Sequence, residues 1–249
     1  MIPRRLHWCW FSGETPPPLV EKCRASWERF LPGFEIVQWD ERKARSVGLP
    51  WIDKALDERR WAFAADAVRV HAVLSEGGVY LDSDVELLKP LDPLLERSCF
   101  FGRENGSDRI EGAVFGAEPG NALLRAALRF YETAEFSWTP ELSDDIVLPK
   151  ILLRALDEAP GTEILPEDRF SPKSFVDGKI RTTGETFCVH HFGSFWRNEA
   201  ERKGILRRQA LHARFPAPVA RLLSAPLSVW TNLRAFGIRG TLRKIAARF

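Results

Sequence analysis

The stretch FAADAVRVHAVLSEGGVYLDSDVELLKPLDPLL, residues 63–95, decides the fold. Its first half continues a helical pattern over residues 57–76, in which apolar side chains recur every three or four positions until a glycine pair ends the helix. A strand-like run follows at once, over residues 79–88. A long apolar helix that returns directly into a buried strand is typical of an α/β sheet.

The flanking segments extend the same pattern in both directions. Residues 2–11 predict a first strand, residues 19–30 a helix and residues 34–39 a second strand, which together indicate parallel strand pairing. Further along the chain we expect a buried strand at 110–117, helices at 121–134 and 145–158, and a late strand at 185–192. The sequence therefore predicts one Rossmann-like α/β domain with a central, mostly parallel sheet.

The composition narrows the class of protein. The chain has 249 residues, of which 28% are charged and 45% hydrophobic, and this excludes a disordered chain, a coiled coil and a disulfide scaffold. Its four cysteines are far apart and form no CxxC pair, so we expect reduced thiols. No apolar run reaches about 18 residues, and the first residues lack the apolar core of a signal peptide. We therefore expect a cytoplasmic location.

The charge is divided unevenly along the chain. The formal net charge is +2, but residues 201–249 contain eleven Lys/Arg against one Glu. This segment therefore carries +10, and residues 1–200 carry −8. We interpret residues 1–200 as the globular domain and residues 201–249 as a basic appendage, a pattern typical of chains that bind a polyanion.

The end of the appendage has an amphipathic composition. Residues 217–249 combine arginines with leucines and aromatic residues and are almost free of acids. This predicts basic amphipathic helices that bind an anionic membrane surface. The alternative is a helix pair that packs on the acidic domain. We expect no nucleic-acid partner, because no aromatic platform or recognised RNA-binding module accompanies the charge.

The strongest candidate for a chemical site is Asp82-Ser83-Asp84. In a continuous strand, Tyr80, Asp82 and Asp84 would share one face. Carboxylate oxygens are hard ligands that suit Mn²⁺ or Mg²⁺, and such an ion can stabilise a departing diphosphate. Short Asp-x-Asp patterns also arise by chance, so a solvated strand end is the alternative.

Two further groups of residues support a binding site. Asp66 and Arg69 lie three positions apart among alanines and valines, so they share a helix face that is expected to be buried. They either bind sugar and phosphate oxygens or form a structural ion pair. His190 and His191 point to opposite faces of a strand, so at most one of them can join a given metal site. Trp10, near the end of the first strand, is either a core residue or a platform for a nucleotide base.

Several segments in this order and spacing resemble a known family. They are IPRRLHWCWFSG at 2–13, SW at 26–27, LPGFEIVQWDE at 31–41, the stretch at 63–95 and HHFGSFW at 190–196. Together they resemble the DXD-containing sugar-transferase domain of glycosyltransferase family 32, especially its bacterial capsular-polysaccharide members, over residues 1–200. The resemblance implies a GT-A-type fold, a nucleotide-sugar donor, Mn²⁺ or Mg²⁺, and transfer with retention of the anomeric configuration.

The resemblance also implies roles for individual residues. Donor-binding roles fall on Trp10, Asp66, Arg69, Tyr80, Asp82, Ser83, Asp84, Ser194 and Trp196. The implied metal ligands are Asp82, Asp84 and His191. His191 is preferred to His190 because Ser194 and Trp196 then follow at the spacing of related toxin glucosyltransferases. The implied catalytic residues are Asp66, Arg69 and Asp145, the last as a carboxylate near the anomeric carbon.

The sequence thus predicts a metal-dependent, retaining glycosyltransferase. It would move a hexose from a UDP- or GDP-sugar to a lipid-linked glycan or polysaccharide, as a peripheral protein on the cytoplasmic face of the membrane. Three alternatives have different activities: a nucleotide-sugar hydrolase, a transferase that modifies proteins, and a non-catalytic module that binds sugar nucleotides or membranes. Acceptor-independent sugar release would favour the first, and donor binding without turnover would favour the last.

Overall fold

The computed structural model describes residues 1–139, 144–195 and 199–246. Its strands are β1 (Arg5–Cys9), β2 (Glu35–Trp39), β3 (Gly78–Leu81), β4 (Val85–Leu87), β5 (Cys99–Arg103), β6 (Ile110–Ala117), β7 (Ile164–Leu165) and β8 (Cys188–His190). Its helices are α1 (Pro18–Phe30), α2 (Glu41–Arg45), α3 (Pro50–Asp57), α4 (Trp61–Glu76), α5 (Asp92–Leu95), α6 (Ala122–Thr133), α7 (Leu148–Ala155), α8 (Glu199–Arg214) and α9 (Ala217–Ala246).

A six-stranded sheet forms the centre of the described structure, in the order β2-β1-β3-β6-β5-β7. The pairs β1–β2, β1–β3 and β5–β7 are parallel, whereas β6 runs antiparallel to both of its neighbours. Parallel pairs therefore predominate, as the strand–helix–strand start of the chain predicts. A separate two-stranded sheet joins β4 to β8.

Apolar clusters cover both faces of the central sheet. One cluster contains the buried side chains of α3, α4, α6 and α7, and the other contains those of α1 and α5 with β4 and β8. All eight residues of β6 are buried, as expected for a strand covered on both faces. The sheet is thus a rigid support whose edge can hold a site.

The helix predicted over residues 57–76 begins later than expected. α3 ends at Asp57, Arg59 takes a positive φ of 54°, and α4 begins at Trp61. The glycine pair that follows α4 is required by space as well as conformation. A Cβ on Gly77 would lie 2.7 Å from the ring of Pro119, and one on Gly78 would lie 2.5 Å from the carbonyl oxygen of Arg5.

The strand predicted over residues 79–88 is divided into β3 and β4. Between them the chain turns: the Val85 N–H donates to the Asp82 carbonyl (3.0 Å), and the Asp82 N–H donates to Ala113 (2.9 Å). The chain leaves the central sheet at this turn and pairs with β8 instead. The prediction that Tyr80, Asp82 and Asp84 share one strand face is therefore wrong.

The other predicted elements are present, most of them with shorter bounds. The strand at 110–117 has the expected limits, the helix predicted at 145–158 becomes α7, and the strand predicted at 185–192 is confined to β8. The sequence reading did not identify β5 and β7 as strands.

The C-terminal segment forms a helical hairpin of α8 and α9, in agreement with its predicted helical character. α9 is interrupted at Gly237, whose φ of 67° and ψ of −175° are not helical. α8 contacts the domain where the Gln209 amide donates to the Phe175 carbonyl (3.0 Å). Among the helices that the structure describes, none is long and apolar enough to cross a membrane.

Candidate functional site

The turn between β3 and β4 brings three potential metal ligands together. Asp82, Asp84 and His190 each offer one ligand atom, and these atoms all lie within 4.8 Å of one another. The pairing of Val85 with His190 across β4 and β8 sets this arrangement, and His190 Nε2 lies 3.7 Å from Asp84 Oδ1. Two carboxylates and an imidazole form a donor set that suits Mn²⁺ and is compatible with Mg²⁺.

The structure places His191 away from this cluster. His191 Nε2 lies 2.8 Å from Glu86 Oε2, a carboxylate that also pairs with Lys22 at 2.7 Å. The two histidines follow each other at the end of a strand, so their rings point to opposite sides. The structure therefore places His190, and not the predicted His191, beside the two aspartates, and the choice of ligand stays a prediction.

The loop after β8 wraps around Asp84. The Gly193 N–H donates to Asp84 Oδ2 (2.6 Å), and the His191 N–H donates to the Asp84 carbonyl (3.0 Å). A Cβ on Gly193 would lie 2.7 Å from the Phe195 ring and 3.2 Å from Asp84 Oδ2, so a side chain at this position would displace the Phe195 ring and crowd Asp84. The predicted donor residue Ser194 follows in the same loop with a positive φ of 50°. Trp196 lies outside the described residues.

A residue that the sequence analysis missed, Glu111, holds the other side of His190. Glu111 is 2% exposed, accepts the Ala113 N–H (2.9 Å), and lies 3.3 Å from His190 Nδ1. Burial lowers the pKa of His190, but the carboxylates of Glu111 and Asp84 outweigh it and raise the pKa to about 9. Histidines that bind metals commonly place their second nitrogen on such a carboxylate. A single acid within the otherwise apolar strand β6 is the signal that identifies this residue.

Arg69 forms the centre of a buried ionic network next to the cluster. Arg69 is 6% exposed, and its Nη2 lies 3.2 Å from Asp66 Oδ1 and 3.1 Å from Asp82 Oδ1. Its Nη1 donates to the Gly112 carbonyl (2.7 Å). Burial opposes its charge, but the carboxylates of Asp82 and Asp66 raise the pKa of Arg69 well above its ordinary value. The structural ion pair considered from the sequence is therefore present, and it ties α4 to the Asp82–Asp84 turn.

Tyr80 supports Asp82 from β3. Its hydroxyl donates to Asp82 Oδ1 (2.9 Å), its side chain is 1% exposed, and Arg69 lies over its ring. Such a buried ring orients Asp82, and a direct contact between Tyr80 and a donor stays a prediction. Ser83 lies half-buried at the centre of the turn.

Asp66 links the same network to the start of α7, because its Oδ2 accepts the Leu148 N–H (3.1 Å). Burial raises its pKa to about 6, although the Arg69 guanidinium and the Leu148 N–H act in the opposite direction. The protonated carboxyl is therefore favoured in the folded state. The resulting stabilisation is present below the unfolded pKa of 3.8 and is lost as the pH rises to about 6.

Asp66→Asn is accordingly expected to raise the free energy of unfolding at neutral pH by about 1–3 kcal/mol, because the amide imitates the protonated acid and still accepts the Leu148 N–H. At about pH 4 the variant and the wild type should be equally stable. Urea denaturation at both pH values tests this, with the exposed Asp108→Asn as the control. A destabilised variant at neutral pH would mean that the ionised carboxylate stabilises the fold through Arg69.

Asp145, the third implied catalytic residue, lies at an exposed position. Its carboxylate is 61% exposed and pairs with Lys150 (3.0 Å), and its carbonyl accepts from Arg154 (2.7 Å). Among the described residues, no hydrogen bond or ion pair joins Asp145 to Asp66, Asp82 or Arg69. The catalytic role of Asp145 stays a prediction.

Trp10 lies at the carboxyl end of β1, beside a cleft of about 420 Å³. Trp8, Arg24 and Asp40 also line this cleft, and the Trp10 indole donates to the Glu14 carbonyl (2.9 Å). Open α/β sheets bind nucleotides at the carboxyl ends of their strands. The position agrees with a base-stacking role for Trp10, which stays a prediction.

The two histidines provide an internal comparison for the metal ligand. His190→Ala is expected to raise the Mn²⁺ concentration needed for half-maximal activity by about 10–100-fold, because it removes the imidazole next to Asp84. His191→Ala is the matched control, and we expect a change within about twofold, since its partner Glu86 is partly exposed and keeps Lys22. Mn²⁺ titration of sugar release measures both. A larger effect at His191 would return the ligand role to that residue.

Comparisons with known proteins agree with this geometry. Residues 17–101 match the family model described as the glycosyltransferase sugar-binding region containing the DXD motif. Inositol phosphoceramide mannosyltransferase 3 of Schizosaccharomyces pombe (strain 972 / ATCC 24843) is 30% identical over 132 residues, which are 51% of this chain and 36% of the relative. Inositol phosphoceramide mannosyltransferase 1 of the same organism is 27% identical over 137 residues, which are 51% of this chain and 42% of the relative.

The fold has a relative among solved structures. PaToxG glycosyltransferase has a TM-score of 0.50 and 15% identity, and the match covers 64% of this chain and 70% of that chain. The GT-A-type α/β fold is confirmed, and residues 17–101 match the DXD-containing sugar-transferase region that the sequence predicts. The same likenesses support the expectation of a transferase. The chain spans about two fifths of the length of the curated relatives it matches.

Proposed function

We propose that this chain, which carries a DXD-type sugar-transferase domain, is a metal-dependent retaining glycosyltransferase. It transfers a hexose from a UDP- or GDP-sugar to a hydroxyl group of a lipid-linked glycan or polysaccharide. The observation that carries the proposal is the cluster of Asp82, Asp84 and His190 directly beside the buried pair of Asp66 and Arg69. Two curated relatives are named inositol phosphoceramide mannosyltransferases, which favours a hexose and a lipid-linked acceptor.

The residues of the site have different roles in donor binding. Asp82, Asp84 and His190 would hold the Mn²⁺ or Mg²⁺ ion, which neutralises charge on the diphosphate when it is bound. Arg69 is already hydrogen-bonded or paired to Asp66, Asp82 and a carbonyl, so it acts by positioning the two carboxylates. Asp66 orients sugar hydroxyls through the remaining acceptor capacity of Oδ1, the oxygen that also pairs with Arg69.

The chemical step follows from retention. The bond between the anomeric carbon and the phosphate oxygen breaks, and a bond to the acceptor oxygen forms on the same face of the sugar. The acceptor proton passes to the departing phosphate oxygen, so no protein base is needed. The described site agrees with this scheme, because its carboxylates are occupied by Arg69, His190 or backbone N–H groups.

The C-terminal hairpin supports action at a membrane surface. The face of α9 that packs inward carries small residues, with Ala220 0%, Ser224 7% and Thr231 6% exposed. On α8, Gly204 lies against this face, since a Cβ there would meet Thr231 Oγ1 at 2.5 Å. Water-soluble helix pairs normally bury their large apolar side chains at such a contact.

The opposite face of α9 carries large apolar side chains that are exposed. Its exposed members are Val219 (43%), Leu222 (76%), Leu223 (43%), Val229 (42%), Trp230 (44%) and Leu233 (38%). At about 100° per residue these side chains fall within about 120° of the helix circumference. Exposed arginines flank the stripe at positions 221, 234 and 239. We therefore infer that the hairpin lies on an anionic membrane, on its cytoplasmic face, with the apolar face in the lipid.

A thermal-shift screen tests the proposed activity first. UDP- and GDP-sugars are added with Mn²⁺ or with EDTA, and we expect a metal-dependent rise in melting temperature for one donor. That donor is then incubated with lipid-linked glycans, and the anomeric configuration of the product is read by proton NMR. Sugar release to water alone would favour a hydrolase. Donor binding without turnover would favour a non-catalytic module, and no shift from any donor would refute the proposed donor class.

A further inference from the structure

We propose that Lys173 binds the diphosphate of the donor, an inference that rests on the proposed function of the neighbouring cluster. No motif in the sequence marks this lysine. It lies in the segment between β7 and β8, and its Nζ donates to the carbonyl of His191. The amide N–H of the same His191 donates to the Asp84 carbonyl (3.0 Å), so the lysine reaches the loop that wraps Asp84.

The charge of Lys173 is not used by the surrounding fold. In the described part of the chain, its hydrogen bond is to a carbonyl, and no carboxylate forms an ion pair with it. Arg69, by contrast, is already engaged by Asp66 and Asp82. A diphosphate placed beside the cluster brings more negative charge than one divalent ion neutralises, and an ammonium is suited to the remainder as a point charge with three donors.

Partial burial makes this lysine different from a surface lysine. Burial lowers the pKa of the Lys173 ammonium, and the nearby Asp84 carboxylate acts in the opposite direction. A half-buried side chain has lost part of its conformational freedom and part of its hydration before any ligand arrives. Its attraction to phosphate oxygens is therefore stronger than that of an exposed lysine.

The segment that carries Lys173 is held on both sides. Lys173 bridges to Ile180 as an isolated antiparallel pair, and the Ser174 N–H donates to the Lys179 carbonyl (2.9 Å). Phe175 packs edge-on against Phe192 with their ring centroids 5.7 Å apart. The Gln209 side-chain amide of α8 donates to the Phe175 carbonyl and so holds this segment against the hairpin. The lysine is thus positioned before the donor binds, which reduces the entropy lost on binding.

The test compares Lys173→Met with Lys179→Met, an exposed lysine of the same segment. We expect Lys173→Met to weaken the binding of UDP or GDP in the presence of Mn²⁺ by at least about 10-fold, since it removes a charge-assisted contact. The affinity for Mn²⁺ alone should instead rise by about 2–5-fold, because a cation near Asp84 is lost. Binding of the nucleoside without phosphate should stay within about twofold, and Lys179→Met should change none of the three. Isothermal titration calorimetry measures all of them.

The opposite signs separate phosphate binding from a structural role. If Lys173 only holds the loop, its replacement would weaken the binding of Mn²⁺, of the nucleotide and of the nucleoside together. That result would overturn the proposal. Lys173→Arg is expected to restore most of the nucleotide affinity. Inorganic pyrophosphate with Mn²⁺ separates this proposal from the donor assignment. Loss of pyrophosphate binding in Lys173→Met supports the proposal even where no nucleotide binds, whereas equal binding by variant and wild type, or none by either, overturns it.

Discussion

Asp84→Asn is expected to lower the rate of sugar transfer by at least about 10³-fold, which corresponds to about 4 kcal/mol of transition-state stabilisation. The melting temperature should change little. The Gly193 N–H donates to Asp84 Oδ2, and the carbonyl oxygen of an asparagine accepts the same hydrogen bond. The other oxygen, Oδ1, lies 3.7 Å from His190 Nε2. The substitution replaces it by an amide NH₂ group, which neither carries charge nor binds a hard cation.

Two measurements made on the same preparation test this result. Single-turnover transfer from the donor found in the thermal-shift screen gives the rate, and thermal unfolding without metal gives the stability. Asp108→Asn is the matched control, because its side chain is fully exposed and its only described ion-pair contact is Arg103 at 3.9 Å. A folded Asp84→Asn variant with normal turnover would refute the metal role of this residue. Equal losses in both aspartate variants would indicate an effect of the substitution chemistry alone.

The sequence predicted where the candidate site lies along the chain better than it predicted which side chains come together there. The helical spacing of Asp66 and Arg69 correctly placed them on one buried face, whereas Asp82 and Asp84 were singled out by their motif and lie in a turn and not on one strand face. The sequence favoured His191 over the adjacent His190, whereas the structure places His190 beside the aspartates. The choice depends on the pairing of Val85 with His190, which joins segments more than 100 residues apart and leaves no local signal.

The turn between β3 and β4 shows the same limit. The run VYLDSDVELL has the composition of one strand, and nothing in its own periodicity marks a break. The break arises because the Asp82 N–H bonds to Ala113 of β6, whereas residues 85–87 bond to β8. Sheet membership is decided by tertiary hydrogen bonds, which a local pattern does not contain.

Glu111 and Lys173 were missed for a different reason. Each is a single charged residue in a segment without a motif, and composition alone does not distinguish it from other charged residues. Glu111 is significant because it is buried against His190 Nδ1, and Lys173 because its Nζ reaches the loop around Asp84. A lone acid in the apolar run of β6 marks Glu111 as unusual, but its burial beside His190, like the position of Lys173 at the loop, is a tertiary property that only the fold shows.

The amphipathic character of the C-terminal hairpin was predicted from the sequence, but the packing of its helices was not. A helical wheel shows that one face of α9 carries large apolar side chains and the other carries small ones. It does not show which face packs on α8. In the structure the small face packs inward, with Ser224 7% exposed, while Leu222 on the other face is 76% exposed. The alternative of a helix pair that packs on the acidic domain stays open, and vesicle binding distinguishes it from the membrane-facing hairpin.

The triple variant Leu222→Ser, Trp230→Ser and Leu233→Ser is therefore expected to lower binding to anionic vesicles by about 10²-fold. Each lost side chain contributes about 1 kcal/mol of apolar burial in the lipid interface, and about 3 kcal/mol corresponds to this factor. Sedimentation with vesicles of mixed phosphatidylcholine and phosphatidylserine measures the partition coefficient. Binding of the wild type should weaken further at high salt, since the flanking arginines act through screened electrostatics.

A second triple variant controls for the loss of exposed apolar surface in general. Ile36, Leu88 and Leu153 are 43%, 38% and 37% exposed on the domain outside the hairpin, and their replacement by serine should leave vesicle binding unchanged. Both variants should release sugar from a soluble donor at the wild-type rate, because neither set lies in the site. Equal vesicle binding by the two variants would refute the membrane-facing hairpin. A hairpin variant that unfolds or loses soluble turnover would instead show that the exposed face of α9 packs against protein, and the appendage would then belong to the domain.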